Sequence, residues 1–88
     1  MIYISFADPD LPKGTQFLGA LLVRADSFLA ALTRAHQLGI NPGGEALGGP
    51  IPDWALPHID EAQVERLMQR AEAQAFNDKM DTIAETLP

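Results

Sequence analysis

The chain has 88 residues, enough for one small domain with a modest core and too few for a second domain. An apolar fraction of 47% argues against a disordered chain, and a net charge of −6 argues against binding to duplex nucleic acid, which needs clustered Lys and Arg. Cysteine is absent, so disulfides, thiolate metal sites and a cysteine nucleophile are excluded.

The first quarter of the chain predicts two strands. Residues 2–7 alternate apolar and polar side chains with a period of two, which is typical of a half-buried strand. Residues 17–25 form a nearly continuous apolar run, and its length favours a strand buried on both faces. The chain begins without a basic leader, and no run approaches the ~18 apolar residues that a membrane span needs. We therefore expect a cytoplasmic protein that does not enter a membrane.

A helix of about three turns is predicted over residues 27–38. Asp26 and Ser27 offer side-chain oxygens that can cap its first N–H groups, and apolar residues then recur at helical spacing. Gly39 suits the left-handed residue that follows many helices, and Ile40 can make the apolar contact that accompanies it.

The next turn, residues 39–45, is dense in Gly, Pro and Asn. Pro42 and Gly43 suit the centre of a type II turn, and a third strand follows over residues 45–49, where two nearby prolines limit it to a sheet edge. Consecutive N–H groups in such a turn can hold an anion, although the turn follows a helix and lacks a lysine. We favour a structural turn and keep open a ligand site that includes Asn41, Gly43 and Gly44.

The last third of the chain predicts a long helical segment. Residues 53–59 form a proline-bracketed connector, Asp60 can cap a helix, and apolar residues then follow at helical spacing. A helix of ~27 residues would be ~40 Å long, longer than so small a domain. The segment therefore contacts another chain, which we favour, or folds back at Asn77-Asp78. The residues assigned to partner or self-association are Val64, Leu67, Met68, Ala71, Phe76, Met80, Ile83 and Leu87.

These elements predict an α+β fold in one domain. A strand-strand-helix-strand core spans residues 1–52, the connector spans 53–59, and the C-terminal helical segment spans 60–88. A strand–helix–strand crossover makes the second and third strands parallel. The simplest sheet then has the first strand in the middle, antiparallel to both neighbours, with the helix over residues 27–38 on one face.

Neither a catalytic nor a metal-binding signature is recognisable. His36 and His58 do not form an HxxxH or HExxH motif, and Ser5 does not lie in a nucleophile elbow. We expect no enzymatic activity, no cofactor and no metal. Arg66 and Arg70 lie four residues apart and would share a face of the predicted helix, either as a solvated face or as a site for an acidic partner or anion.

Residues 17–52 carry one resemblance. The Gly-Ile-Asn-Pro-Gly-Gly-Glu loop at residues 39–45, together with Phe17-Leu18-Gly19 and Ile51-Pro52, is similar to small uncharacterised proteins of bacteria, notably actinobacteria, and of their phages. The resemblance implies no reaction and assigns no site residue. It is compatible with a phage-type accessory role, including interference with a host defence system.

We interpret the chain as a non-catalytic binding protein that oligomerises with itself or binds a partner protein through its C-terminal helix. The alternative is sequestration of an anionic small molecule, such as a signalling nucleotide, at an oligomer interface. The residues proposed for that ligand are Asn41, Gly43, Gly44, Arg66 and Arg70.

Overall fold

The structure, a computed structural model, describes residues 1–87 as an α+β fold, as the sequence predicts. Its main elements are β1 (Ile2–Ala7), β2 (Phe17–Val23), α1 (Phe28–Gln37), β3 (Glu45–Pro50) and α2 (Arg70–Glu85). Short 3₁₀ helices span Asp53–His58 and Glu61–Gln63. Neither helix in residues 1–87 is long and apolar enough to cross a membrane.

The three strands form one sheet in the order β2-β1-β3. Both pairs are antiparallel, and Ile2 of β1 lies opposite Val23 on one side and Pro50 on the other. The predicted position of the first strand, between the second and the third, is confirmed. Among the three strands of the sheet described in residues 1–87, β1 lies in the middle, and the outer edges belong to β2 and β3.

Each face of the sheet is covered by one helix. α1 contributes Ala31 and Ala35 to the core on the first face, where they pack with alternate residues of β1 and β2. α2 contributes Ala73 and Phe76 to the core on the second face, and the Phe76 ring stacks on Tyr3 with ring centroids 5.7 Å apart. β2 supplies buried side chains to both cores, which confirms the strand buried on both faces that its apolar run predicts.

The ends of α1 confirm the predicted helix signals. Ser27 caps the helix, since its side-chain oxygen accepts a hydrogen bond from the Ala30 N–H at 3.1 Å. Gly39 has a φ of +71°, and the Ile40 N–H donates to the Ala35 carbonyl at 3.1 Å. This is the pattern of a left-handed helix cap, and Ile40 packs against the core on the α1 face.

The helix predicted from residue 60 onward is wrong over its first ten residues. Asp60 caps a single 3₁₀ turn, and residues 64–69 then run along the outer edge of β2. Ala20 and Met68 exchange two backbone hydrogen bonds of 3.0 and 2.8 Å, and the Glu65 N–H donates to the Leu22 carbonyl at 2.7 Å. Buried polar groups of β2 need partners, so this pairing overrides the helical period of the segment.

α2 itself is a single helix of 16 residues, without a break at Asn77-Asp78. It is about 24 Å long, so the prediction of a ~40 Å helix that is longer than the domain is wrong. Met68 and Phe76 are only 0% and 5% exposed, which means that these two members of the predicted association stripe pack inside their own chain. Val64, Leu67, Met80 and Ile83 are partly buried, whereas Ala71 and Leu87 are exposed.

Candidate functional site

The glycine-rich turn is held together by its own residues. The Gly43 N–H donates to the Asn41 side-chain oxygen at 2.8 Å, and Gly43 has a φ of +88°. A Cβ on Gly44 would lie 2.5 Å from the Ala7 carbonyl oxygen, so this glycine is needed for close backbone contact with β1. Conformation and packing thus account for Asn41, Gly43 and Gly44, and the Gly43 N–H is already engaged within the turn.

The two arginines predicted to share a helix face do not share one. Arg66 precedes α2 and forms a two-pronged ion pair with Glu72, at 2.5 and 3.0 Å. This pairing holds the pKa of the Glu72 carboxyl below its ordinary value. Arg70 is the first residue of α2, and its Nη2 donates to the Gly14 carbonyl at 2.6 Å. The two guanidinium groups therefore have different surroundings.

Two further arginines pair with glutamates of the C-terminal segment. Arg24 pairs with Glu61, and Arg34 on α1 pairs with Glu65, which lies in the segment that runs along the outer edge of β2. The hydrogen bond from Arg34 is the main reason that the pKa of Glu65 lies below its ordinary value. Glu65 also has a φ of +58°, an uncommon conformation for a residue with a side chain. Ion pairing thus ties residues 61–65 to the rest of the fold.

A groove lies between α2 and the middle of the sheet. Its cavity has a volume of about 430 Å³, and an adjoining cavity of about 320 Å³ shares Tyr3 and Asn77 with it. The side-chain amide of Asn77 donates to the Tyr3 hydroxyl at 3.4 Å. We call the larger cavity the α2 groove; its lining residues are Tyr3, Ser5, Phe17, Arg70, Ala73, Gln74 and Asn77.

The backbone of β3 offers a second candidate site. The Ile51 N–H donates to the Met1 carbonyl at 2.9 Å, one step beyond the Ile2–Pro50 pair and in the same register. Hydrogen-bonded and non-bonded pairs alternate along an antiparallel ladder, so Glu45, Leu47 and Gly49 bond to β1. The N–H and C=O groups of Ala46 and Gly48 consequently point away from the sheet, and no strand within residues 1–87 pairs with them.

The side chain beside this edge is strongly exposed. Leu47 lies opposite Ser5, on the sheet face that α2 covers only in part, and is 74% exposed. The prolines near residue 50 predict an edge strand, and the structure has one. The sequence gives no sign that Tyr3, Ser5, Gln74 and Asn77 converge, because they come from opposite ends of the chain.

Within the described residues, no group of three or more His, Cys, Asp or Glu side chains could hold a metal ion. Comparison with protein-family models, with curated protein sequences and with solved structures finds no match to this chain. The unpaired β3 edge and the α2 groove are candidate binding sites within residues 1–87.

Proposed function

We propose that this protein acts by binding and not by catalysis, and that it associates with a second copy of itself through the outer edge of β3. The observation that carries the proposal is the outward direction of the Ala46 and Gly48 backbone groups next to the exposed Leu47. An unpaired edge of this kind is a template for another strand. The association surface thus moves from the C-terminal helix to β3, because Met68 and Phe76 pack within the chain.

A symmetric pairing of two β3 strands satisfies both outward residues. If the strands run antiparallel about a two-fold axis at Leu47, Ala46 bonds to Gly48 of the partner subunit, and Gly48 bonds to Ala46 of the partner subunit. Leu47 then faces Leu47 of the partner subunit in a non-bonded pair, where Cα atoms are about 4.5 Å apart. Two exposed leucines would cover each other on the same face of a six-stranded sheet.

The charges and prolines of β3 are compatible with this register. Glu45, the one charged side chain of the strand, lies opposite Gly49 of the partner subunit, so the two glutamates do not face each other. Pro50, which has no N–H, lies outside the bonded pairs. Since each chain carries a net charge of −6, repulsion between subunits opposes association at low salt. We expect the dimer to become tighter as ionic strength rises.

A self-associating binding protein is also compatible with the resemblance to bacterial and phage proteins, which we take to indicate an accessory role in the cytoplasm. Interference with a host system would then require a host component as a further partner. The β3 edge can pair with only one strand at a time, so a host strand bound there would displace the second copy.

Sedimentation velocity over about 10 µM to 1 mM tests the proposal. Leu47→Lys places a charge beside the edge, and Leu29→Lys is the matched control because Leu29 on α1 is 73% exposed. Ala46→Pro removes one outward N–H while the bonds to β1 remain. We expect a concentration-dependent dimer for the wild type and Leu29→Lys, and monomers for the two β3 variants with unchanged circular dichroism. A monomeric wild type, or equal loss in Leu29→Lys, would overturn the proposal.

A further inference from the structure

Arg70 differs from the other arginines of the chain in the kind of partner that it has. Arg24, Arg34 and Arg66 each pair with a glutamate, whereas the hydrogen bond of Arg70 goes to a backbone carbonyl, that of Gly14. Within residues 1–87, no carboxylate lies in ion-pair contact with Arg70. Twelve acidic residues against six basic ones make such an arginine unusual in this chain.

The surroundings of Arg70 favour a single negative charge. Among the described residues that line the α2 groove, Arg70 is the one cation, and none is acidic. The Asp78 carboxylate accepts a hydrogen bond from the Gln74 amide at 2.9 Å and does not line the cavity, and Asp81 lines the adjoining cavity instead. An anion in the groove would therefore meet one positive charge and no opposing carboxylate in the lining.

The remaining lining residues define the rest of the ligand. Phe17 and Ala73 give the cavity an apolar side, and the Tyr3 ring is held in place by its stacking on Phe76. The amides of Gln74 and Asn77 each keep one N–H beyond their bonds to Asp78 and Tyr3 and can donate it to an oxygen atom. The Ser5 hydroxyl, which donates to the Leu47 carbonyl at 3.4 Å, adds a polar group to the lining. A volume of about 430 Å³ lies in the range of small-molecule sites.

From these observations we infer that the α2 groove binds a small carboxylic acid as its monoanion. The carboxylate lies against the guanidinium of Arg70, whose remaining N–H groups donate charge-assisted hydrogen bonds to it. The apolar or aromatic body of the acid lies against Phe17 and Ala73. One arginine neutralises a monoanion fully, whereas a nucleotide phosphate would keep excess negative charge in an already acidic protein.

This inference goes beyond self-association and does not depend on it. The groove lies over β1, with Tyr3 and Ser5 in its floor, while the proposed dimer contact uses the outward backbone groups of Ala46 and Gly48 and the Leu47 side chain of β3, none of which lines the groove. A monomeric protein could still bind the acid, and a dimer could form with the groove empty. Failure of one proposal is therefore distinguishable from failure of the other.

Titration of the ¹⁵N-labelled protein with sodium benzoate, followed by nuclear magnetic resonance, tests the inference. Benzamide, which has the same shape without the charge, is the neutral control. Arg70→Gln removes the proposed contact, and Arg24→Gln removes the same charge from outside the groove. We expect saturable shifts at Ser5, Gln74 and Asn77 with benzoate, a loss of affinity of at least about tenfold in Arg70→Gln, and wild-type affinity in Arg24→Gln.

Several outcomes would overturn the inference. One is the absence of saturable groove shifts with benzoate up to about 20 mM, a concentration that reveals even weak millimolar binding. Equal binding of benzamide would show that the charge is not recognised, and equal weakening in Arg24→Gln would show that net charge and not the groove governs binding. Tighter saturable binding of adenosine monophosphate than of benzoate would assign the groove to phosphate instead.

Discussion

The two outer edges of the sheet both direct backbone N–H and C=O groups outward, but only the β2 edge is paired with another segment of residues 1–87. Along β2, residues 64–69 accept and donate the outward hydrogen bonds, and Ala20 and Leu22 are fully buried. Along β3, the outward groups of Ala46 and Gly48 have no strand beside them within residues 1–87, and the neighbouring Leu47 is exposed. Residues 64–69 thus cover the β2 edge, while no strand of the described part of the chain covers the β3 edge.

The residues of the open edge differ from those that commonly protect an exposed strand. Exposed edges are commonly protected by lysines, inward charges or a covering loop, and β3 has Glu45 at its start and Pro50 at its end but no charge in between. The stretch 46–49 is apolar or glycine. An edge of this composition suits contact with another strand better than permanent contact with water.

The largest expected effect comes from truncating Met68, the buried residue of the segment that covers the β2 edge. Met68 is fully buried, and its backbone bonds to Ala20. Met68→Ala leaves a cavity under residues 64–69 and should lower the free energy of unfolding by about 2–5 kcal/mol. Met80→Ala is the control, because Met80 is only partly buried and should lose clearly less. Urea unfolding compares the two; equal losses would show that Met68 does not hold the covering segment.

A second prediction concerns how β3 is attached to β1. A Cβ on Gly48 would collide with the backbone carbonyl of Tyr3, whereas a Cβ on Gly49 would meet open space. Gly48→Ala should therefore destabilise the fold by about 1–3 kcal/mol, while Gly49→Ala should be nearly neutral. Thermal unfolding of both variants checks this contrast between adjacent glycines. A neutral Gly48→Ala would mean that β3 can shift away from β1 at little cost.

A third prediction concerns the turn that leads from α1 into β3. Gly39 has a φ of +71° with open space around its Cβ position, so Gly39→Ala should cost about 1 kcal/mol through backbone strain alone. Gly39→Val should cost more because a branched side chain tolerates this conformation poorly, and Pro42→Ala should cost less. Urea unfolding ranks the three variants. A neutral or stabilising Gly39→Ala would contradict the left-handed cap.

The smallest expected effect is on the pH dependence of stability, through the ion pair between Arg34 on α1 and Glu65 in the segment that covers the β2 edge. The Arg34 hydrogen bond holds the pKa of Glu65 below its ordinary value of 4.5 in the folded chain. Because the folded pKa is the lower one, the stability from this pair is present above about pH 4.5 and is lost as pH falls through the folded pKa.

Unfolding free energies measured from about pH 6 to pH 3 test this contribution. Glu65→Gln should flatten the decline toward acid pH, because it removes the carboxyl whose pKa is lowered in the folded chain. An unchanged slope in Glu65→Gln would show that the ion pair does not stabilise the fold.

Local signals predict the elements whose structure depends on near neighbours. The alternation in β1, the Ser27 cap and Gly39 identify a strand and both ends of a helix, and the crossover rule gives the sheet order. The extended path of residues 64–69 escapes such signals, because Ala20, which pairs with Met68, is distant in sequence. One sequence signal does point to it, because a glycine within a buried strand, here Gly19, often marks close contact by another segment. In the structure that contact is Leu67, with which a Cβ on Gly19 would clash.

The candidate sites are predictable only in part for the same reason. Arg70 can be singled out from the sequence as a candidate for anion binding, but its pairing with Arg66 on one helix face is wrong because α2 begins after Arg66. Ser5 and Gln74 enter the groove only when the sheet and α2 come together. The outward direction of the Ala46 backbone depends on register, which no local pattern contains.

The most direct test of self-association at β3 uses the absence of cysteine in the natural chain. In the symmetric register, Leu47 faces Leu47 of the partner subunit at a Cα separation that a disulfide can span. Leu47→Cys should form a covalent dimer rapidly under mild oxidation at micromolar protein concentration, and Leu29→Cys, equally exposed on α1, should form it slowly. Equal rates for the two variants, or a Leu47→Cys chain that stays monomeric, would contradict pairing through the β3 edge.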